Sequence, residues 1–396
     1  MHSEKATDEN VGNAQFSTVN EEPLTSVESV TSVSANVPEP LRSVHTSNFP
    51  AILEHLGISL LVTTYQAGRL VMLRAEDGVL NTHFRLFSKP MGLAVQPNRL
   101  AIGTTWEVIE YHNLPAVSAK LTPADKHDAC FLPRLAHCTG DIQIHEMVWS
   151  NNDLWFVNTL FSCLCVRDDT YNFRPVWRPN FITKYIPGDC CHLNGLGLRD
   201  GRPRYVTALG ETDQPNGWRE NKRDGGILID LDTSEIIARG LSMPHSPRWY
   251  QDRLWLLESG TGSFGTIDLE TGKFNSIVSL PGFTRGLSFC GSLAFIGLSQ
   301  VRESAIFGGI PIAERALEER FCGVYVVNIV SGEVVAFVKF EDAVQEIFSV
   351  EVLLGSRFPE LVNDNIEILS GSFELPDDIL AAVPADLRSS VLRSNP

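Results

Sequence analysis

Charge is scarce in this chain, and basic charge scarcer still. Asp, Glu, Lys and Arg make up only 20% of 396 residues, and 32 Lys and Arg face 48 Asp and Glu, for a net charge of -16. A phosphate backbone would meet like-charge repulsion, so no nucleic-acid partner is expected. No window reaches the roughly 18 to 20 apolar residues of a membrane-spanning helix. The start, Met1-His-Ser-Glu-Lys-Ala-Thr-Asp-Glu-Asn, lacks the apolar core of a secretory signal, so the expected location is the cytoplasm, with no membrane partner. Paired CxxC spacing is missing too. The eight cysteines include only Cys190-Cys191 and Cys163-Leu-Cys165 as near neighbours, which reads as buried free thiols; the shared strand face of Cys163 and Cys165 leaves a soft-metal or redox role open.

Catalytic fingerprints are also wanting. Gly260-Thr-Gly-Ser-Phe-Gly265 has dinucleotide-loop spacing but runs into Thr266-Ile-Asp-Leu-Glu, a strand phrase, so no helix N-terminus would face a pyrophosphate. Asp230-Leu-Asp-Thr-Ser-Glu lacks the glycine and length of a calcium loop. Helix signals are few: a short helix over Ile312 to Arg320 after Pro311, and another over Pro376 to Leu392, bent near Pro384.

What the chain does have is a phrase repeated six times: Met91-Gly-Leu-Ala-Val, His145-Glu-Met-Val-Trp, Asn194-Gly-Leu-Gly-Leu, His245-Ser-Pro-Arg-Trp, Arg285-Gly-Leu-Ser-Phe and Phe348-Ser-Val-Glu-Val. Five are followed, after a tight polar turn, by a second apolar run. A hairpin-built repeat of about 40 to 60 residues is the mark of a propeller. Strand grammar begins near Leu60 with three strands and no inner one, while the last phrase, from Phe348, has no blade after it. Pairing the two closes a six-bladed all-β ring and removes open sheet edges. The other blades begin near Met91, His145, Asn194, His245 and Arg285. The expected organisation is a disordered leader over 1–45, a six-bladed β-propeller over 46–362, and a short helical tail over 363–396 on the outside. Ile229-Asp-Leu-Asp-Thr-Ser-Glu, Ile267-Asp-Leu-Glu-Thr-Gly-Lys and Val327-Asn-Ile-Val-Ser-Gly-Glu read as structural strand-to-turn punctuation.

Residues at the start of each inner strand gather round the mouth of the central channel. The six first positions carry four polar side chains, His145, Asn194, His245 and Arg285. By the period-two rule Lys89, Gln143, His192 and Met243, with Phe283 and Glu346, stand just above them, while the third positions are apolar. Long connections overhang the same mouth: 121–144 with Asp125, His127, Asp128 and His137, 210–226 with Glu211, Asp213, Asn216, Trp218 and Arg219, and 298–323 with Arg302 and Glu303.

Imidazoles from His145 and His245, with the Asn194 amide or His192, suit a divalent transition metal as cofactor. Glu146 stands where other blades have Gly or Ser, either as a catalytic group or tied to an Arg or a backbone N–H of the next blade. Arg285 is expected to hold a substrate carboxylate or phosphate, or to neutralise Glu146 or Glu346. His192, Glu258 and Glu211 are further acid/base candidates, and Trp218, Arg219 and Arg302 are contacts for substrate or anchors for a protein partner.

The phrases His145-Glu-Met-Val-Trp, His192-Leu-Asn-Gly-Leu-Gly-Leu, Met243-Pro-His-Ser-Pro-Arg-Trp and Glu258-Ser-Gly-Thr-Gly, within Asn48 to Val362, resemble a bacterial family of conserved hypothetical proteins without an agreed activity. Such chains are distantly similar in architecture to six-bladed lactonases of the gluconolactonase and paraoxonase type. That likeness implies a cation held in the tunnel by Glu, Asn and Asp; here His145 and His245 stand beside Asn194, which puts calcium in doubt. The resulting expectation is a metal-dependent hydrolase or oxidoreductase acting on a small polar or anionic molecule. The alternative is a non-catalytic propeller that docks a protein or peptide.

Overall fold

The computed structural model describes residues 41–301, 308–341 and 343–388. They form six sheets, each with four strands that pair antiparallel in chain order. Blade 1 joins the two ends of the chain: inner strand Ser349–Leu354 pairs with Ile58–Thr64, followed by Arg69–Glu76 and Val79–Leu86, in a register running from Ile58 opposite Leu354 to Thr63 opposite Ser349. The inner strands of blades 2 to 6 are Leu93–Gln96, Ile144–Ser150, Leu193–Arg199, Pro244–Tyr250 and Phe283–Cys290. Each touches the next, and Ser349–Leu354 touches both Phe283–Cys290 and Leu93–Gln96, so the ring is closed. The expected six-bladed propeller and its terminal closure are what the chain forms.

Burial follows position in the blade. All seven residues of Ile58–Thr64 are buried, because both faces of an inner-region strand are covered by neighbouring blades, whereas outermost Val79–Leu86 has no fully buried residue. Turn chemistry holds the hairpins. Asp77-Gly78 and Asp200-Gly201 both sit at positive φ, as a two-residue turn matched to strand twist requires. In the three punctuation phrases the Asp230, Asp268 and Asn328 side chains accept backbone N–H bonds from residues two and three further on, which makes their structural reading concrete.

Two extra strands cover outer edges. Ser43–His45 pairs with Val334–Phe340 in blade 6, and Pro359–Leu361 pairs in parallel with Ala129–Cys138 in blade 2. Ser43–His45 falls at the end of the stretch read as leader, and the rest of that stretch to residue 40 is outside the described residues. A helix over Phe49–Leu56 was not anticipated. Pro50 lies in its first turn, where proline's missing N–H costs nothing, and Gly57 at φ 66° ends it; Phe49 and Leu53 are buried among Leu60, Val62 and Phe340.

Three local expectations need correction. Ile312 to Arg320 is not one helix but two 3-10 turns, Pro311–Glu314 and Leu317–Glu319. The intervening backbone is extended, because the buried Arg320 guanidinium takes the carbonyls of Ala313 and Arg315 as well as that of Val301. Of the helix expected over Pro376 to Leu392, the described residues are helical only over Asp377–Leu380 and Ala385–Leu387, separated at Pro384, while an earlier short helix, Ile366–Ser370, sets Ile368 against Val117, Leu121 and Cys130.

The connection 121–144 is not one loop, since Ala129–Cys138 is the outermost of blade 2's four repeat strands. That parity sends residues 114–128 to the face opposite the mouth. There Asp128 accepts from Ser356, Arg357 and Phe358, and His127 and Arg74 lie 3.7 and 3.6 Å from Glu360, which also meets His83 and Arg85. These groups clasp Pro359–Leu361 to blades 1 and 2.

Candidate functional site at the channel mouth

Four of the residues just before the inner strands, Lys89, Gln143, His192 and Met243, have left-handed backbone with φ of 47, 56, 49 and 46°. Strict alternation therefore fails at the mouth. Instead the bend turns the carbonyl at that position back onto the ring residue two places later. His145 Nδ1 lies 3.0 Å from Gln143 O, and His245 Nδ1 lies 3.0 Å from Met243 O.

A second partner completes each histidine. Thr159 and Ser259, each fourteen residues after its histidine, place a hydroxyl 2.8 and 2.9 Å from Nδ1. Those hydroxyls donate to the next blade, to Leu193 O at 2.6 Å and Thr284 O at 2.5 Å. Since a carbonyl only accepts and each hydroxyl proton is already committed, the ring proton must sit on Nδ1. Each Nε2 is then a lone pair, with no hydrogen-bond partner among the described residues. Burial, then the nearby Arg285 charge, holds both imidazoles well below their ordinary pKa, so they stay neutral at physiological pH.

His192 lies over the mouth with its ring 4.8 Å from that of His145 and nearly perpendicular to it. Its Nδ1 is 3.0 Å from both carboxylate oxygens of Asp189, which also accepts from Trp218 Nε1 at 3.0 Å, and the Trp218 ring lies 4.5 Å from the imidazole. Asp189 thus orients His192 and holds its proton on Nδ1. The spacing Asp189-Cys-Cys-His192 was present in the sequence and went unread.

Arg285 is the unusual member. Its guanidinium stacks 3.5 Å above the Phe348 ring and makes no hydrogen bond or ion pair with any described residue. Desolvation lowers its pKa to about 10, opposed chiefly by Glu346 and then Glu146, so it remains a cation. Phe348 also touches His145 edge-on at 4.9 Å, Tyr65 lies 6.2 Å from Phe348, and the Lys89 ammonium sits 5.5 Å over Tyr65. An acidic protein thus keeps cationic side chains at the mouth of its channel.

Other expected site residues have structural duties. Asn194 donates to Pro244 O at 3.1 Å and accepts from Thr207 Oγ1 at 2.6 Å, tying blade 4 to blade 5. Glu258 accepts from Ser242 N and Thr261 Oγ1, which closes its own loop. Trp218 is only 2% exposed and cannot serve as a rim anchor; Arg219 stacks on it and donates to Asn216. Glu211 pairs with Arg239 at the surface. Arg302 and Glu303 lie outside the described residues.

Glu146 follows the structural alternative. It bonds Arg248 at 2.7 Å and accepts the Leu196 N–H at 2.5 Å. Arg248 also donates to Leu196 O, Leu287 O and Glu351, so it contacts inner strands of blades 1, 3, 4 and 6, which is possible only at the axis. Polarity is therefore not confined to the mouth: Glu146, Arg248 and Glu351 plug the channel one layer below. For Arg248 the cause is a bulge. Between His245 and Arg248 the inner strand carries one residue more than its partner, and Ser246 has φ 51°, so the fourth position rather than the third returns to the axis.

These features define a class: a six-bladed β-propeller whose channel is plugged by an ionic layer and whose mouth collects three imidazoles and a guanidinium. Residues 47–362 match the family described as "Domain of unknown function (DUF4915)", and the chain belongs to that family. No curated protein matches. Among solved structures, a nidogen/laminin complex matches at 10% identity over 75% of this chain and 99% of that one, with TM-score 0.49. A protein of unknown function from Bacteroides caccae matches at 8% identity over 74% and 98%, TM-score 0.45. A catalytically inactive virginiamycin B lyase from Staphylococcus aureus, with quinupristin, matches at 12% over 76% and 99%, TM-score 0.37. At these scores none informs the chemistry of this chain.

The residues suit a metal poorly. His145 and His245 offer one lone pair each with the outer nitrogen well held, as a metal site would need. Asn194 fails as the third donor because both ends of its amide are bonded, and among the described residues no group of three or more His, Cys, Asp or Glu side chains, His192 included, is placed to hold a metal ion. The Arg285 charge, strong enough to depress both imidazoles, would also repel a dication. No helix among the described residues is long and apolar enough to cross a membrane.

Proposed function

We propose that the chain is an enzyme for a small organic anion, which binds at the channel mouth on Arg285 and is acted on by proton transfer through His192. The observation that carries this reading is the Arg285 guanidinium itself. A partly buried cation with no acceptor from the described protein has paid desolvation without recovering it in hydrogen bonds, and a carboxylate would supply two. Phe348 fixes the plane of the guanidinium, so its fork is oriented before a ligand arrives. His192, with Asp189 on Nδ1, presents Nε2 as an acceptor within reach of a ligand seated among the rings, the arrangement of a general base with its positioning residue.

Metal dependence, expected from residue type, loses support from the bonded Asn194. The docking reading loses its buried anchor, Trp218. The test is saturation-transfer NMR with small carboxylates and their neutral amides. Carboxylates are expected to bind the native chain, amides to bind at least tenfold more weakly, and Arg285→Gln to abolish the difference. Equal binding of acids and amides, or a tightly held metal that is lost in His145→Ala and His245→Ala, would contradict the proposal. In Asp189→Asn the carboxylate should still bind while any solvent-exchange activity at its α-carbon falls and its pH profile shifts.

A further inference from the structure

Within the reading that Arg285 holds an anion, we infer that the ligand is a hydroxycarboxylate, with the carboxylate on the guanidinium and hydroxyl groups donating to the Nε2 lone pairs of His145 and His245. The two histidines are not interchangeable with hydrogen-bond donors. Each Nδ1 faces a carbonyl, Gln143 O or Met243 O, and a hydroxyl whose proton is already given to the neighbouring blade, at Leu193 O or Thr284 O. The tautomer is thereby fixed by four groups that the ligand does not touch, and what faces the mouth is an acceptor on each ring. A carboxylate oxygen brought to these nitrogens would meet lone pair against lone pair, so the anionic end is directed to Arg285 alone.

What can donate to the imidazoles is then limited. An ammonium group would be placed beside the Arg285 cation, whose field reaches both rings and adds to burial in lowering their pKa. A hydroxyl donates without adding positive charge. Sulfate or a fully ionised phosphate has no donor to offer. Phe348, Tyr65 and Met91 supply an apolar side for a short carbon skeleton, and Glu346 facing Arg285 leaves room for one negative charge rather than several. Thr159 and Ser259 are positioning residues in this account: they sit at the same offset in blades 3 and 5 and set which nitrogen carries the proton.

The experiment is calorimetric titration of the full chain with glycerate and 3-hydroxybutyrate, against propionate and butyrate as deoxy counterparts and glycerol as the uncharged one. Two hydroxyl hydrogen bonds to buried acceptors should favour glycerate over propionate by roughly tenfold, and the single hydroxyl of 3-hydroxybutyrate should favour it over butyrate by about threefold, with glycerol the weakest. His245→Gln should shrink that ratio while the carboxylate still binds, which separates the effect from loss of the fold. Equal affinity for hydroxy and deoxy acids would overturn this inference and leave the Arg285 anion site standing; no binding of either acid would remove both. Histidine-selective 15N NMR gives an independent reading: protons found on Nε2 of His145 and His245 in the native chain would overturn the inference whatever binds.

Discussion

Glu351 offers a measurement that the ionic plug alone determines. It shares Arg248 with Glu146, but at 3.3 Å against 2.7 Å, and burial, then the adjacent Glu146 charge, raises its pKa to about 7, above an ordinary 4.5. A carboxyl whose folded pKa is raised stabilises the fold fully below the unfolded value, and that contribution drains away as pH rises through the folded one. The window is therefore about pH 4.5 to 7. At about 1.4 kcal/mol per pH unit, the loss across it amounts to about 3 kcal/mol. Glu351→Gln keeps an acceptor for Ser288 and Arg248 but cannot titrate. Unfolding midpoints for native chain and variant should be compared by thermal denaturation at half-unit steps from pH 5 to 8.5. The variant is expected to equal the native chain near pH 5 and to exceed it by about 5 °C at pH 8, taking about 2 °C per kcal/mol for a chain this long. Parallel profiles at all pH values would refute the reasoning, because they would mean that Glu351 is ionised throughout and that Arg248 satisfies both carboxylates.

Two further outcomes concern the axis. Glu146→Ala should destabilise the fold by about 3 kcal/mol, seen as a lower urea midpoint, since it leaves the Leu196 N–H unpaired and half-strands a buried guanidinium; a change below about 1 kcal/mol would mean that the plug is not a buried pair. Gly195→Ala should cost about 1–3 kcal/mol in the same assay, because the added Cβ would stand 2.2 Å from Thr207 Oγ1 and 2.5 Å from Pro247 Cδ, atoms held by the Asn194 bond and by a ring.

The six repeats made the architecture readable because each inner strand carries the same small-and-apolar grammar, and the orphan strands at Leu60 and Phe348 could only satisfy their edges by pairing. The site was readable in part, for the same reason: repeat alignment put His145, His245 and Arg285 on one ring. What alignment could not show was parity. Left-handed residues at Gln143, Met243 and Ser246 are not marked by glycine, so alternation was assumed where the strand bends and bulges. Simple alternation hides Arg248 and Glu351, at fourth positions, and with them the partner that makes Glu146 structural. Thr159 and Ser259 stand at one constant spacing from their histidines and Asp189 stands three residues before His192, but their value depends on which nitrogen they face. The helix at Phe49 was hidden by Pro50, a breaker everywhere except in the first turn, where it stands.

The most direct test of the account is a crystal structure of the chain soaked with glycerate. The account predicts the carboxylate paired with the Arg285 guanidinium above Phe348, and hydroxyl oxygens within hydrogen-bond distance of Nε2 of His145 or His245. A carboxylate bound away from Arg285, or a cation lodged between the two histidines, would contradict it.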